Sequence, residues 1–257
     1  MNRSVIRRTA LAALGSVLLA GCHHRKAPEP IGPDVVWQRA QAAYAAHRYG
    51  RAAELFSQFL ALSPGDPRAA EAHYLSGRAH LGTHEYITAA ADFVRVATDF
   101  PADTLGRPSR MGLCEAYVRL SPKPQLDQEY TSSAIAYCNS YADTYPSTPQ
   151  ADRARQYVSQ MTAKLALKEF QAGMFYFRRK AYDASVIYFN RAATEFPGTP
   201  AAPAALLKLY EAYGAVGYVE ERDAAMARLL REYPQSEEAR SLPARAPPAA
   251  PATAPAG

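Results

Sequence analysis

The sequence predicts an all-α protein, a solenoid of about five helix-turn-helix repeats, and three observations carry that expectation. The stretch YDASVIYFNRAATEFPGTP from Tyr182 recurs as YGRAAELFSQFLALSPGDP from Tyr49 and YITAAADFVRVATDFPADT from Tyr86. Within each copy a small residue stands twelve positions before a proline (Ala52, Ala89, Ser185) and a Phe eight positions before it (Phe56, Phe93, Phe189). Apolar positions three and four residues apart share one helical face, whereas a strand needs period two. Two weaker copies, Ala134-Cys138-Pro146 and Arg222-Met226-Pro234, bring the prolines to five, at intervals of 37, 45, 51 and 37 residues. A period of this size marks a stacked array.

Residues 1–21 read as a lipoprotein signal peptide. Arg3, Arg7 and Arg8 form a positive n-region, and the apolar run from Thr9 to Ala20 spans only 12 residues. That is short of the roughly 20 that a membrane-spanning helix needs. Leu19-Ala20-Gly21-Cys22 resembles the lipobox of bacterial lipoproteins, which implies cleavage before Cys22, lipidation of its thiol and anchoring in a membrane. His23 stands where Asp would favour inner-membrane retention, so the outer membrane, at its periplasmic face, is the expected location.

Residues 22–33, CHHRKAPEPIGP, are polar and proline-rich and read as a flexible tether. Removing the signal changes the charge: 26 basic side chains then face 24 acidic ones, a net charge of +2 in place of +5. No dense basic run with interleaved aromatics remains, which argues against a nucleic-acid partner.

The array itself is expected over residues 34–240. Its first helix, with Asp34 as N-cap, carries Trp37, Ala40, Gln41 and Tyr44, and resembles the first helix of a tetratricopeptide repeat. Gly77 holds the small eighth position in the second repeat, Gly173 and Tyr176 the eighth and eleventh in the fourth, and Leu206, Leu209 and Tyr213 mark the fifth. A small residue there lets two antiparallel helices approach while aromatics fill the space beside it.

The third repeat departs from the pattern. Its helices, about 107–120 and 130–145, are separated by SPKPQLDQ, whose prolines forbid a continuous helix. The insertion is read as length the surface tolerates, with a contact loop as the alternative. From Pro149 to Tyr182 the helical pattern runs unbroken for about 30 residues, so one long helix is expected to lead into the fourth repeat. Residues 241–257, rich in Pro and Ala, cannot bury a core and read as a disordered tail.

Nothing points to catalysis or to a cofactor. There is no phosphate loop, no G-x-S-x-G and no H-E-x-x-H. His23 and His24 lack further ligands, and His73, His80 and His84 lack a fourth, so no metal site is expected and the latter three read as turn or surface histidines.

Repeats behind a lipobox, together with the aromatic cluster Phe175-Tyr176-Phe177, the Asn190-Arg191 pair and the aromatic-Pro stops, resemble the BamD family of outer-membrane assembly lipoproteins. The resemblance implies a non-catalytic scaffold that binds the POTRA domains of BamA, other subunits of the BAM complex and unfolded outer-membrane proteins. It places Asn190 and Arg191 toward BamA. The tetratricopeptide pattern places Glu71, Tyr74 and Arg78, then Met111, Glu115 and Arg119, on a concave substrate groove. The same alignment puts Cys114 opposite Cys138, either bonded in the disulfide-permissive periplasm or packed as free thiols. Another periplasmic tetratricopeptide lipoprotein, a secretin pilot or an envelope-constriction coordinator, is the competing reading.

Overall fold

A computed structural model of the chain describes residues 31–242. The expected signal peptide, Cys22, most of the tether and nearly all of the Pro/Ala tail lie outside the described residues. Among those described are eleven helices and no strand. They pair as α1 (Pro33–Ala45) with α2 (Tyr49–Leu62), α3 (Ala69–Gly82) with α4 (Tyr86–Asp99), and α5 (Gly106–Leu120) with α6 (Glu129–Thr144). Next come α7 (Pro149–Arg178) with α8 (Tyr182–Glu195) and α9 (Ala201–Val216) with α10 (Val219–Glu232), and the short α11 (Glu237–Ser241) closes the array. This is a tetratricopeptide-repeat solenoid of five helical hairpins. Each helix packs mainly on its two neighbours in sequence, and α3 also touches α5, α5 touches α7, and α7 touches α9. From α3 to α9 the first helices therefore form one continuous layer, the inner surface, and the second helices stand outside it.

The five prolines set the ends of the second helices. Pro64, Pro101, Pro146, Pro197 and Pro234 each lie two residues beyond a helix end. A residue before proline is disfavoured in the helical region, and Ser63, Phe100, Tyr145, Phe196 and Tyr233 accordingly sit at φ between −127° and −144°. At the other end of the hairpin, four first helices close in one way. His47, His84, Lys180 and Gly217 take positive φ, and the next residue's N–H returns to the carbonyl five residues back, as in Arg48 to Ala43 at 2.9 Å. This left-handed cap satisfies carbonyls that the helix end would otherwise leave open.

The register positions are packed as the spacing requires. Phe56, Phe93 and Phe189 are fully buried. A Cβ built on Gly77 would come within 2.9 Å of the Phe93 ring and one on Gly112 within 2.6 Å, so Phe93 is held between its own first helix and the next repeat's. Gly173 meets Phe189 in the same way. In the third repeat the two positions are Cys114 and Cys138, both fully buried and joined by a disulfide with their Cα atoms 4.9 Å apart.

Two expectations are corrected. Asp34 does not cap α1: Pro33 occupies the first helical position, Gly32 is the cap, and Asp34 pairs with Arg68 at 2.8 Å. His73 and His80 are not surface residues, because both are largely buried around Asp92 of α4, at 3.7 and 2.8 Å. The third-repeat insertion is tied to the array by hydrogen bonds. The buried Gln128 donates to the carbonyls of Lys123 (2.9 Å) and Leu126 (3.0 Å), while α7 holds the loop through Lys164 to Ser121 Oγ (2.7 Å), Lys168 to the Leu126 carbonyl (3.1 Å) and Gln125 to Gln171 (2.7 Å).

Candidate protein-interaction site

The inner layer opens into a cavity of about 360 Å³ where α1, α3, α5 and α7 converge. Arg78 comes from the last turns of α3, Glu115 and Arg119 from α5, and Arg153 and Tyr157 from the first turns of α7, with Tyr44 of α1 at the far wall. One carboxylate serves two guanidiniums: Glu115 accepts from Arg78 at 3.1 Å and lies 3.3 Å from Arg153. Arg153 also donates to the Tyr157 hydroxyl at 3.0 Å. Arg119 is exposed and has no ion pair among the described residues, so positive charge is in excess. Burial alone would lower Arg78, but Glu115 and the Tyr74 and Tyr44 hydroxyls outweigh it and hold the guanidinium firmly charged. An arginine-rich, tyrosine-walled recess of this kind accepts a carboxylate or backbone carbonyls beside an apolar or aromatic side chain.

Of the residues expected in the groove, the structure brings Arg78, Glu115 and Arg119 together. Glu71 is half-buried on α3 and does not line the cavity. Tyr74 is turned against the Phe93 ring, with centroids 6.0 Å apart, and burial pushes its hydroxyl up. Met111 is a correction: it is 7% exposed, packed in a core with Cys114, Cys138, Tyr141, Ala151 and Ala154, and offers nothing to a ligand. The reason is α7, whose extra N-terminal turns cover the face that Met111 occupies on α5. The same turns supply Arg153 and Tyr157, which position counting missed. Their i, i+4 spacing at the start of a helix too long for one repeat was the available signal.

Asn190 and Arg191 lie on α8, both exposed. Arg191 is 3.8 Å from Glu169 of α7 and lies over the Tyr188 ring at 6.0 Å. Tyr188 is in turn stacked on Tyr176 at 5.3 Å. Asn190 Nδ2 donates to the Tyr213 hydroxyl at 3.4 Å. The pair is thus presented outward on an aromatic bed, with Arg191 partly committed to an internal carboxylate. Among the described residues no helix is long and apolar enough to cross a membrane.

Comparison with known proteins adds a family. Solved structures similar to the chain include a thermophilic TPR protein of Thermus thermophilus, 20% identical over 81% of this chain and 95% of that one, with a TM-score of 0.36. A TPR repeats protein of Bacteroides fragilis is 13% identical over 81% and 94%, with a TM-score of 0.45. Pseudomonas aeruginosa pilF is 14% identical over 82% and 81%, with a TM-score of 0.36. Among curated proteins, none matches the chain by sequence. The sequence model of the YfiO family, described as an outer membrane lipoprotein, matches residues 28–229, from just before α1 to the last turn of α10. With the match running through all five hairpins, the chain belongs to the YfiO family of outer membrane lipoproteins.

Proposed function

We propose that the protein is a non-catalytic, lipid-anchored scaffold of the outer-membrane β-barrel assembly machinery, acting on the periplasmic face. The inner cavity receives unfolded outer-membrane proteins, and the Asn190-Arg191 face of α8 meets a POTRA domain of BamA. Cys22 carries the lipid that holds the array at the membrane. The observation that carries this reading is the inner cavity, where Arg78 and Arg153 share the Glu115 carboxylate and Arg119 stands unpaired among the described residues, beside tyrosines, in a chain of an outer membrane lipoprotein family. A solenoid of this kind presents surfaces to other proteins in place of a closed catalytic pocket.

The test is copurification from detergent-solubilised outer membranes. BamA as the main partner supports the proposal; a secretin or an envelope-constriction protein in its place assigns the chain to another class of periplasmic adaptor. Arg119→Glu leaves the Glu115 pairs intact and is expected to weaken crosslinking of unfolded barrel peptides. Unchanged crosslinking with the fold retained removes the cavity from the reading. For the BamA face, Arg191→Ala is the informative variant. Arg191→Glu would set a carboxylate against Glu169, 3.8 Å from the present guanidinium, and mix local repulsion with loss of contact. Cys22→Ser is expected to release the protein from the membrane fraction or leave it unprocessed.

A further inference from the structure

The outer surface carries a second feature that the proposed function does not use. From α3 onward the first helices touch one another along the inner layer, but no two second helices, α4 and α6 included, are among the packed pairs. A groove therefore runs between α4 and α6, floored by α5. Val94 lines two adjoining cavities in it, of about 600 and 290 Å³, and Ala97 and Arg110 carry the groove into a third of about 410 Å³. Its walls are apolar and open to solvent. Ile87 is 61% exposed and Val94 38% on α4, and Tyr130 is 41% exposed and Tyr137 37% on α6. Tyr117 rises from the floor and stacks on Tyr137 with centroids 4.7 Å apart. A contiguous exposed apolar strip on a soluble face marks an interaction site.

The spacing of the walls selects the occupant. On both helices the large side chains recur at seven residues, two helical turns or about 10.5 Å, with the small Ala90 and Ala91 between them on α4. An extended strand presents same-face side chains about 6.8 Å apart and falls out of step with these knobs. A helix with apolar residues at i, i+3, i+4 and i+7 matches them. Charge sets the direction. Arg107 and Arg110 are exposed at one end of the groove and have no ion pair among the described residues, whereas Arg95 lines the cavity at the other end. The nearby acids are turned to local donors: Asp99 accepts from the Thr98 hydroxyl at 2.8 Å, and Asp103 from the Leu105 N–H at 2.7 Å.

We propose that the groove between α4 and α6 is the docking site for an amphipathic α-helix of a partner protein, whose apolar stripe lies along Val94 and Tyr137 and whose acidic end meets Arg107 and Arg110. The site is on the opposite side of the array from the inner cavity and does not depend on the function assigned to that cavity.

The probe is a fluorescent designed helical peptide of about 18 residues with a leucine stripe and glutamates at one end, titrated by anisotropy into the full chain in detergent micelles. Saturable binding is expected, weakened on the order of tenfold or more by Val94→Glu and by paired Arg107→Glu and Arg110→Glu. A lysine-ended version of the peptide is expected to prefer the paired variant. Arg119→Glu in the inner cavity should leave binding unchanged. Ile87→Glu, at the most exposed wall position, gives a second groove variant whose fold is checked by circular dichroism. The proposal is overturned if a scrambled peptide of the same composition binds equally, or if Val94→Glu and Ile87→Glu both bind the probe normally. It is also overturned if sedimentation shows a dimer that Ile87→Glu dissolves, since the occupant is then a second copy of the chain.

Discussion

The second and third repeats are neighbours inside the array and solve the same packing problem by different chemistry. In the second, Gly77 admits the Phe93 ring, and a left-handed residue, His84, turns the chain in the smallest space. In the third, the small and large positions become Cys114 and Cys138, a covalent link replaces ring packing, and eight residues, SPKPQLDQ, replace the tight turn. Those residues are then recovered as structure by hydrogen bonds to α7. Spacing between two helices is thus the conserved requirement of the hairpin, whereas the atoms that meet it are interchangeable. A buried ring gains through the area it removes from water, and a disulfide through the freedom it takes from the unfolded chain.

That contrast can be broken most severely at Phe93. Because Gly77 and Gly112 have no side chain to fall into the space, Phe93→Ala should leave a cavity and cost about 3–5 kcal/mol, read as a lower denaturation midpoint with an unchanged slope. Replacing both Cys114 and Cys138 by Ala should cost about 3 kcal/mol, from the loop that the bond closes between residues 24 apart. Reducing agent should bring the wild type toward the variant and leave the variant itself unmoved. If reduction has no effect on melting, the third repeat stands on packing alone and the comparison fails.

The tight turns sharpen it further. Gly217 takes φ 81° freely, whereas Lys180 holds φ 60° with a side chain present. Lys180→Gly is expected to raise stability by about 1 kcal/mol, and Gly217→Ala to lower it by a similar amount. The third repeat, which has no such residue, offers no equivalent gain.

The smallest effect is a pH dependence confined to the second repeat. Burial alone would raise the Asp92 carboxyl, but the polar contacts from His73, His80 and Ser76 outweigh it and lower it; the hydrogen bond that His80 donates to Asp92 in turn raises His80, against its burial, with Glu85 adding to the rise. A lowered acid contributes stability above its ordinary value of 3.8 and loses it as pH falls through the folded value. A raised histidine contributes below its ordinary value of 6.5 and loses it as pH rises through the folded value. The pair therefore helps most between those limits, and melting should fall modestly from pH 6 to pH 8. His80→Gln should flatten that slope; a slope that persists belongs to other groups.

Much of this is legible in the sequence. The prolines at 64, 101, 146, 197 and 234 end helices because a proline disfavours helical backbone at the residue before it, and it lacks the N–H that would continue a helix past its first turn. The Phe positions and the glycines opposite them follow from helical period, and the unbroken run after Pro149 is the 30-residue α7. The candidate site was half legible. Arg78, Glu115 and Arg119 followed from counting positions along α3 and α5, and they do converge. Met111 obeyed the same count and is buried all the same.

The difference lies in range. Which side of a helix a residue occupies is settled by its own chain, through 3.6 residues per turn, and the sequence alone determined the hairpins, their ends and the layer each helix joins. What covers that side is settled by another element, at a distance along the chain that no local pattern encodes. Only the tertiary structure decided that the extra turns of α7 bury Met111 while adding Arg153 and Tyr157 to the cavity. It also decided that Asp34 is drawn to Arg68 instead of to its own helix end. The groove between α4 and α6, which leaves Ile87 and Val94 in solvent on faces that helical period alone describes as apolar, belongs to the same class, because it depends on how neighbouring repeats stack.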